Sequence, residues 1–470
     1  MLFSSLVFMT CFLPAVLFLY YTVFRFNRIV QNVFLLIVSL GFYAWGEPKF
    51  VFVLIGSFLM NWGFGLLVAK YKTEPLRAKI TIAIMLIFNI SIIFVFKYLM
   101  FTMKNIKQLF DVNLDIPTIL LPIGISFFTF QAISYVIDIY RGHGEVQRNP
   151  LNVGLYIAFF PQLVAGPIVR YETIADQIMD RKESFEDVSQ GVCRFLVGLA
   201  KKVLLANNFA LVADKAFNMG SDELSMGMAW LGAICYTLQI YYDFSGYSDM
   251  AIGLGRMFGF KFPENFNYPY ISKSTTEFWR RWHISLGSWF RDYVYIPMGG
   301  SRVKSTGRIY FNLFVVWSLT GLWHGANWTF ICWGLLYFVS LSIEKTFGID
   351  KIQHHRVFLH LYTMLLVILG WVLFRSENIT DAFIYMKTMF IPGTGGIIDP
   401  NAIVCTSEYL VFLIFGIIFS TPIAKEIKRR RIAKTKLSKA LYVIVMIGLF
   451  LACISYLVKG AYNPFIYFNF

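Results

Sequence analysis

Charge is scarce in this chain. Asp, Glu, Lys and Arg make up only 15% of its 470 residues, while 57% are apolar and 18% aromatic. That shortage excludes an ordinary soluble domain, in which roughly a quarter of residues are charged, and points to a polytopic membrane protein. Negative charge is scarcest: 27 Asp and Glu stand against 42 Lys and Arg, a net charge of +15. The cations gather in short segments between apolar runs, a pattern of membrane orientation and lipid contact rather than of nucleic-acid binding. The six cysteines (Cys11, Cys193, Cys235, Cys332, Cys405 and Cys453) are scattered and have no CxxC spacing. This excludes a disulfide framework or a cysteine zinc site and leaves buried free thiols as the expectation; no metal ligand set is evident. Also missing are a Ser nucleophile elbow, a Walker loop, an HExxH pair and any cofactor fingerprint. There is no internal repeat and no linker long enough to divide the chain, so one membrane-embedded domain over 1–470 is expected. The N-terminus lacks a basic region and a cleavage site, and is read as a retained first span.

What is present is a succession of long apolar runs. A helix needs about 20 apolar residues to cross the hydrocarbon core. The runs are continuous rather than alternating, so helices are favoured over a barrel. Spans are expected at Leu2–Phe24, Val30–Trp45, Phe50–Ala69, Ile80–Met100, Ile119–Tyr140, Trp230–Ile252, Phe358–Phe374, Tyr409–Thr421 and Leu441–Leu457. Leu151–Val169 is apolar but broken by Pro161, Gly166 and Pro167, so a re-entrant segment buried by protein is expected there. Val192–Phe209 carries Arg194, Lys201 and Lys202 and reads as partly interfacial. The positive-inside rule places Arg25 and Arg28, the Lys70–Lys79 loop and the Lys425–Lys439 cluster in the cytoplasm. Both termini then lie outside.

The stretch from Thr276 to Phe330 stands apart. It holds Glu277-Phe278-Trp279-Arg280-Arg281-Trp282-His283 and Gly321-Leu322-Trp323-His324-Gly325-Ala326-Asn327. On a helical wheel Phe278, Trp282, Leu286, Trp289 and Tyr293 share one stripe, with His283 at its border, as in an interfacial helix. His324 falls in the joint between two short apolar segments, Tyr310–Leu322 and Trp328–Leu341, read as a hairpin dipping into the membrane. An ionisable residue at membrane depth is by default a functional-site hypothesis. Imidazole is the side chain best suited to accept a proton near neutral pH. For His283, function and packing remain equally open. Arg280, Arg281, Lys201 and Lys202 are candidates to meet the phosphates of a cytosolic donor, against contact with anionic headgroups. Asp243, Asp249 and Asp138 are either satisfied polar groups lining a cavity or direct participants. With no protein nucleophile beside His324, the residues point to direct transfer, a base activating an acceptor hydroxyl against a bound acyl donor.

Five stretches in order resemble the membrane-bound O-acyltransferase family, above all its bacterial branch serving alginate O-acetylation. They are Pro122–Gln131, Phe160–Ile168, Tyr242–Asp249, Glu277–His283 and Gly321–Asn327. The resemblance implies an all-α polytopic fold of about ten to twelve membrane helices, with re-entrant and interfacial helices around a central tunnel. It makes His324 the match to the family's catalytic histidine and His283 to its second characteristic histidine. It further implies acetyl transfer from cytosolic acetyl-CoA toward an extracytoplasmic polysaccharide in the bacterial inner membrane, through a secreted or membrane-anchored SGNH-type acetyltransferase. No cofactor is expected beyond the donor. The tail, residues 460–470, carries Phe465-Ile466-Tyr467-Phe468-Asn469-Phe470. This F-x-Y-x-x-F pattern resembles the acyl-carrier motif of the small partner in teichoic acid D-alanylation. Tyr467 is therefore a candidate acyl relay, the alternative being an aromatic interfacial anchor. Seven extended residues from Gly460 reach roughly 24 Å, against about 15 Å to the membrane centre. The other readings are D-alanyl transfer to teichoic acid, from which the fused tail points away, and a transporter, whose inverted repeats are not evident.

Overall fold

The computed structural model describes residues 1–349, 352, 354–427, 435–460 and 462–466. The described residues are helical, without strands. Among the described residues, eight helices are long and apolar enough to cross a membrane: Arg28–Gly46, Val51–Lys70, Pro75–Phe110, Phe185–Phe217, Trp328–Phe347, Arg356–Arg375, Pro400–Phe419 and Lys436–Val458. Three more, Ile125–Arg141, Met226–Met257 and Thr306–His324, carry buried polar groups such as Gln131, Asp138, Gln239, Asp243, Asn312 and His324. Length and composition alone therefore do not assign them as spans. The first apolar stretch is shorter than expected, with helix only over Phe8–Tyr21. All six cysteines are free thiols, but only Cys235, Cys405 and Cys453 are buried as expected; Cys193 and Cys332 are half-buried and Cys11 is exposed.

The chain gathers into two compact units, interleaved in sequence: Met1–Phe195 with Ser248–Pro263, and Leu196–Tyr247 with Glu264–Phe470. In the first, Gly65 brings its helix so close to Ile125–Arg141 that a Cβ would stand 2.6 Å from the Tyr135 ring. Asn61 and Asn89 exchange amide hydrogen bonds of 3.1 and 2.9 Å between adjacent helices, satisfying polar groups that apolar surroundings would otherwise penalise. The expected break after Met100 is absent. Helix continues through a π turn at Phe94–Tyr98 to Phe110, because Leu99–Phe110 is itself amphipathic, and it ends at Asp111 with φ 48°. The proline-broken segment is helical over Pro150–Ala158 and Phe160–Leu163 and is buried in protein. Its interrupted backbone finds partners: Phe160 N–H donates to Ser39 Oγ at 3.0 Å, and Tyr156 Oη donates to the Val169 carbonyl at 2.8 Å. Protein thus supplies the bonds that lipid cannot.

In the second unit the helices Thr306–His324 and Trp328–Phe347 pack through glycine. A Cβ on Gly321 would lie 2.5 Å from the Phe330 carbonyl oxygen, and one on Gly334 would strike the Trp317 carbonyl. At 19 and 20 residues they are longer than the short dipping segments expected from sequence. Around them lies an aromatic core that includes Phe244, Phe278, Trp282, Phe330, Trp333, Trp371 and Phe374, and it extends to Ile466 near the C-terminus.

Candidate active site

The interfacial helix expected over 276–293 is two helices with a turn between them. Thr275–Arg281 begins at Ser274, whose hydroxyl accepts from Glu277 N–H at 3.0 Å. Its first turn is also tied to Glu344 in Trp328–Phe347. That buried carboxylate accepts from Thr275 N–H at 2.5 Å, Thr276 N–H at 2.8 Å and the Thr276 hydroxyl at 2.7 Å. A carboxylate is favoured there by the helix N-terminus and its orphan donors. Trp282 is then extended and His283 left-handed, φ 44° and ψ 52°, before Ile284–Phe290 resumes the helix. Phe278, Trp282, Leu286 and Trp289 of the stripe are buried as the wheel predicts, while Tyr293 is half-buried. The corrected detail is His283, which is only 2% exposed and sits inside the unit rather than on its border.

A left-handed conformation costs a non-glycine residue about 1–2 kcal/mol, so the turn must be held. The irregular segment 265–267 holds it. Ile284 N–H donates to the Asn265 carbonyl at 2.9 Å, and Asn267 N–H donates to the Arg281 carbonyl at 2.9 Å. The Asn265 side chain does more. Its Oδ1 accepts from Ser285 N–H at 3.2 Å and the Ser285 hydroxyl at 2.8 Å, and lies 3.1 Å from His283 Nδ1. A backbone N–H can only donate, so the atom facing it is the amide oxygen, and His283 Nδ1 must carry the proton. The lone pair is then on Nε2. Burial pushes this imidazole from 6.5 down to about 3, so it is neutral at physiological pH.

His324 ends helix Thr306–His324, followed by Gly325 in extended backbone. It is 5% exposed and caged by rings: Trp323 at 4.9 Å, Trp333 at 5.0 Å and Phe374 at 5.1 Å, all edge to face. The Trp323 ring also meets His283, at 5.8 Å. One indole thus touches both imidazoles, and Phe244 closes on His283 from another direction at 4.6 Å. The structure brings together two histidines that sequence could only name separately.

The other candidates separate. Lys202, considered for a soluble phosphate, is instead buried against Asp243 at 2.8 Å, with side chains 3% and 2% exposed. Both touch the C-terminal segment: Lys202 Nζ donates to the Pro464 carbonyl, and Asp243 Oδ2 accepts from Ile466 N–H at 2.9 Å. Lys201 is half-buried, its ammonium 5.9 Å from the Tyr241 ring centre. Arg281 is engaged by Glu277 at 2.9 Å and the Asn267 carbonyl at 3.0 Å, whereas Arg280 is exposed. Asp249 belongs to the first unit and pairs with Arg194 at 2.8 Å. Asp138, also there, accepts from Glu172 N–H at 3.0 Å. Asp138, His143 and Glu172 bring ligand-type atoms within 4.8 Å of one another. Arg170 claims Glu172 at 2.9 Å, so the cluster is occupied by its own charges. Tyr467 lies outside the described residues.

Sequence reasoning passed over Asn265 and Glu344. Asn265 sits in no periodic apolar pattern, so no local signal marks it, whereas Glu344 continues the buried series Phe330, Trp333, Tyr337 and Ser340 at helical spacing, and a carboxylate on that stripe is the signal that could have found it.

The chain is similar to several known proteins. Residues 146–349 match the model of the membrane-bound O-acyltransferase family. The probable alginate O-acetylase AlgI of Pseudomonas putida is 40% identical over the full length of both chains. The peptidoglycan O-acetyltransferase of Helicobacter pylori is 35% identical over 83% of this chain and 80% of its own. The teichoic acid D-alanyltransferase of Bacillus subtilis is 31% identical over 48% of this chain and 59% of its own.

Proposed function

Because this chain belongs to the membrane-bound O-acyltransferase family, we propose that it moves acetyl groups from cytosolic acetyl-CoA to the outer face, where a polysaccharide is O-acetylated. It is a multi-pass membrane O-acetyltransferase. In the proposed reaction His324 takes the proton of an acceptor hydroxyl as the oxygen attacks the thioester carbonyl. The tetrahedral intermediate collapses, the carbon–sulfur bond breaks, and the imidazolium returns its proton to the leaving thiolate on the cytosolic side. His283, neutral with its lone pair on Nε2, accepts a hydrogen bond from the donor or acceptor without taking a charge. Exposed Arg280 and half-buried Lys201 are the remaining cations for the donor's phosphates.

Tyr467 is the proposed first acceptor. A phenol titrates near pH 10 and needs a base to attack at neutral pH, and the phenyl ester formed is activated enough to transfer again. The next acceptor is an SGNH-type acetyltransferase outside the membrane. Both termini accordingly lie on the extracytoplasmic side of the bacterial inner membrane. The observation that carries this reading is the placement of Ile466, one residue before Tyr467, in the same aromatic core as Phe330, Trp333 and Phe374, the rings around His324. The test is polymer acetylation in a deletion strain complemented with variants. His324→Ala abolishes acetylation while export of the polymer continues, and Tyr467→Phe abolishes it as well. Normal acetylation by Tyr467→Phe refutes the relay. Loss of export in His324→Ala would favour a transporter instead.

A further inference from the structure

The C-terminal segment is seated by a buried ion pair that serves no purpose in the reaction as drawn. Lys202 and Asp243 stand 2.8 Å apart with almost no solvent contact. Burying two charges is a poor route to stability, since desolvation offsets most of their attraction. Both partners have bonding capacity left over, and both spend it on main chain. Lys202 Nζ donates to the Pro464 carbonyl, and Asp243 Oδ2 accepts from Ile466 N–H at 2.9 Å. A cation thus reads one carbonyl and an anion reads the amide two residues on, charge-assisted bonds that fix an irregular segment in register.

Side chains complete the seat. The Phe465 ring packs on Tyr247 at 4.9 Å and lies 5.9 Å from the Lys202 ammonium. Asn207 Nδ2 donates to Asn463 Oδ1 at 3.3 Å, and the Tyr462 hydroxyl donates to Asp214 at 2.9 Å. Asp214 is itself held by Arg375 at 2.8 Å. The contacts run from half-exposed Tyr462 to buried Phe465 and Ile466, so the segment enters the unit along a defined track.

We propose that the Lys202–Asp243 pair is a main-chain clamp that docks residues 462–466 and so positions the residue that follows them, Tyr467. Lys202 and Asp243 are positioning residues. The clamp rests on the relay reading only for its consequence in acyl transfer; the docking stands on the contacts themselves.

The test uses the full-length protein in nanodiscs. Removing one partner would strand a buried charge, so the variant is the pair Lys202→Met with Asp243→Leu, an apolar replacement that a buried ion pair often tolerates. Phe465→Ala, which strands no charge, is the second variant. Hydrogen exchange at Ile466 reports docking. Each lost charge-assisted bond is expected to raise the exchange on the order of tenfold or more. The kcat for acetyl transfer falls toward that of Tyr467→Phe, while the KM for acetyl-CoA is unchanged. Unaltered protection of Ile466 in the double variant overturns the clamp. Lost protection with kcat retained, when Tyr467→Phe is inactive, overturns its positioning role. Should Tyr467→Phe keep full activity, the relay fails, and the clamp is judged on exchange alone.

Discussion

Asn265 is the most informative residue to perturb, because one oxygen organises the turn that presents His283. Asn265→Leu keeps the branching of the side chain but removes Oδ1 from Ser285 N–H, the Ser285 hydroxyl and His283 Nδ1–H. The hydroxyl can rotate to another acceptor, whereas the other two donors are left buried. At about 1–3 kcal/mol each, the loss is about 2–6 kcal/mol. The left-handed His283 backbone gives the turn a further reason to relax. Asn265→Asp retains the acceptor and places an anion beside the ring, so the turn survives and the imidazole protonates more readily.

The two variants part in their pH dependence. In the native protein His283 titrates at about 3 instead of 6.5, so between these values the unfolded chain binds the extra proton. Stability from the neutral ring is therefore fully present above pH 6.5 and lost as pH falls toward 3. About 2 kcal/mol has gone by pH 5. Apparent unfolding temperatures measured at pH 7 and pH 5 should fall for the native protein, fall less for Asn265→Asp, and lose this component in His283→Gln. Asn265→Leu should start several kcal/mol lower at pH 7. The reasoning is refuted if His283→Gln shows the native pH slope, or if Asn265→Leu is as stable as the native protein.

Three further outcomes are expected. Gly321→Ala forces a methyl against the Phe330 carbonyl and should lower stability by about 1–3 kcal/mol in thermal unfolding. Glu344→Gln replaces an acceptor-only carboxylate at the start of Thr275–Arg281. It should cost about 1–3 kcal/mol and reduce acetyl transfer through the turn at His283. Arg280→Ala removes an exposed cation, so stability should stay within about 0.5 kcal/mol while the KM for acetyl-CoA rises in steady-state assays. An unchanged KM assigns Arg280 to lipid headgroups.

Much of the architecture was legible because apolar periodicity and charge placement are local properties of a chain. Arg28–Gly46, Val51–Lys70 and Arg356–Arg375 lie close to where the apolar runs place them. The buried stripe from Phe278 to Trp289 follows helical spacing, even though the helix breaks beneath it. The break itself was not legible. His283 is left-handed because Asn265 and Asn267 brace it from an irregular segment whose sequence carries no sign of that role. Lys202 was misplaced for a related reason. A lysine in an apolar run looks interfacial until its partner is known, and Asp243 comes from another helix.

By itself the amino-acid order determined a helical membrane protein, the two histidines worth attention and the tail worth suspecting, since composition, spacing and motif are one-dimensional facts. Only the tertiary structure decided that Trp323 touches both imidazoles, that Nδ1 of His283 holds its proton, and that Lys202 and Asp243 grip the main chain before Tyr467. Those are relations between residues far apart in the chain, and burial makes each of them strong. Removed from water, a polar group must find its partner wherever the fold brings one within reach.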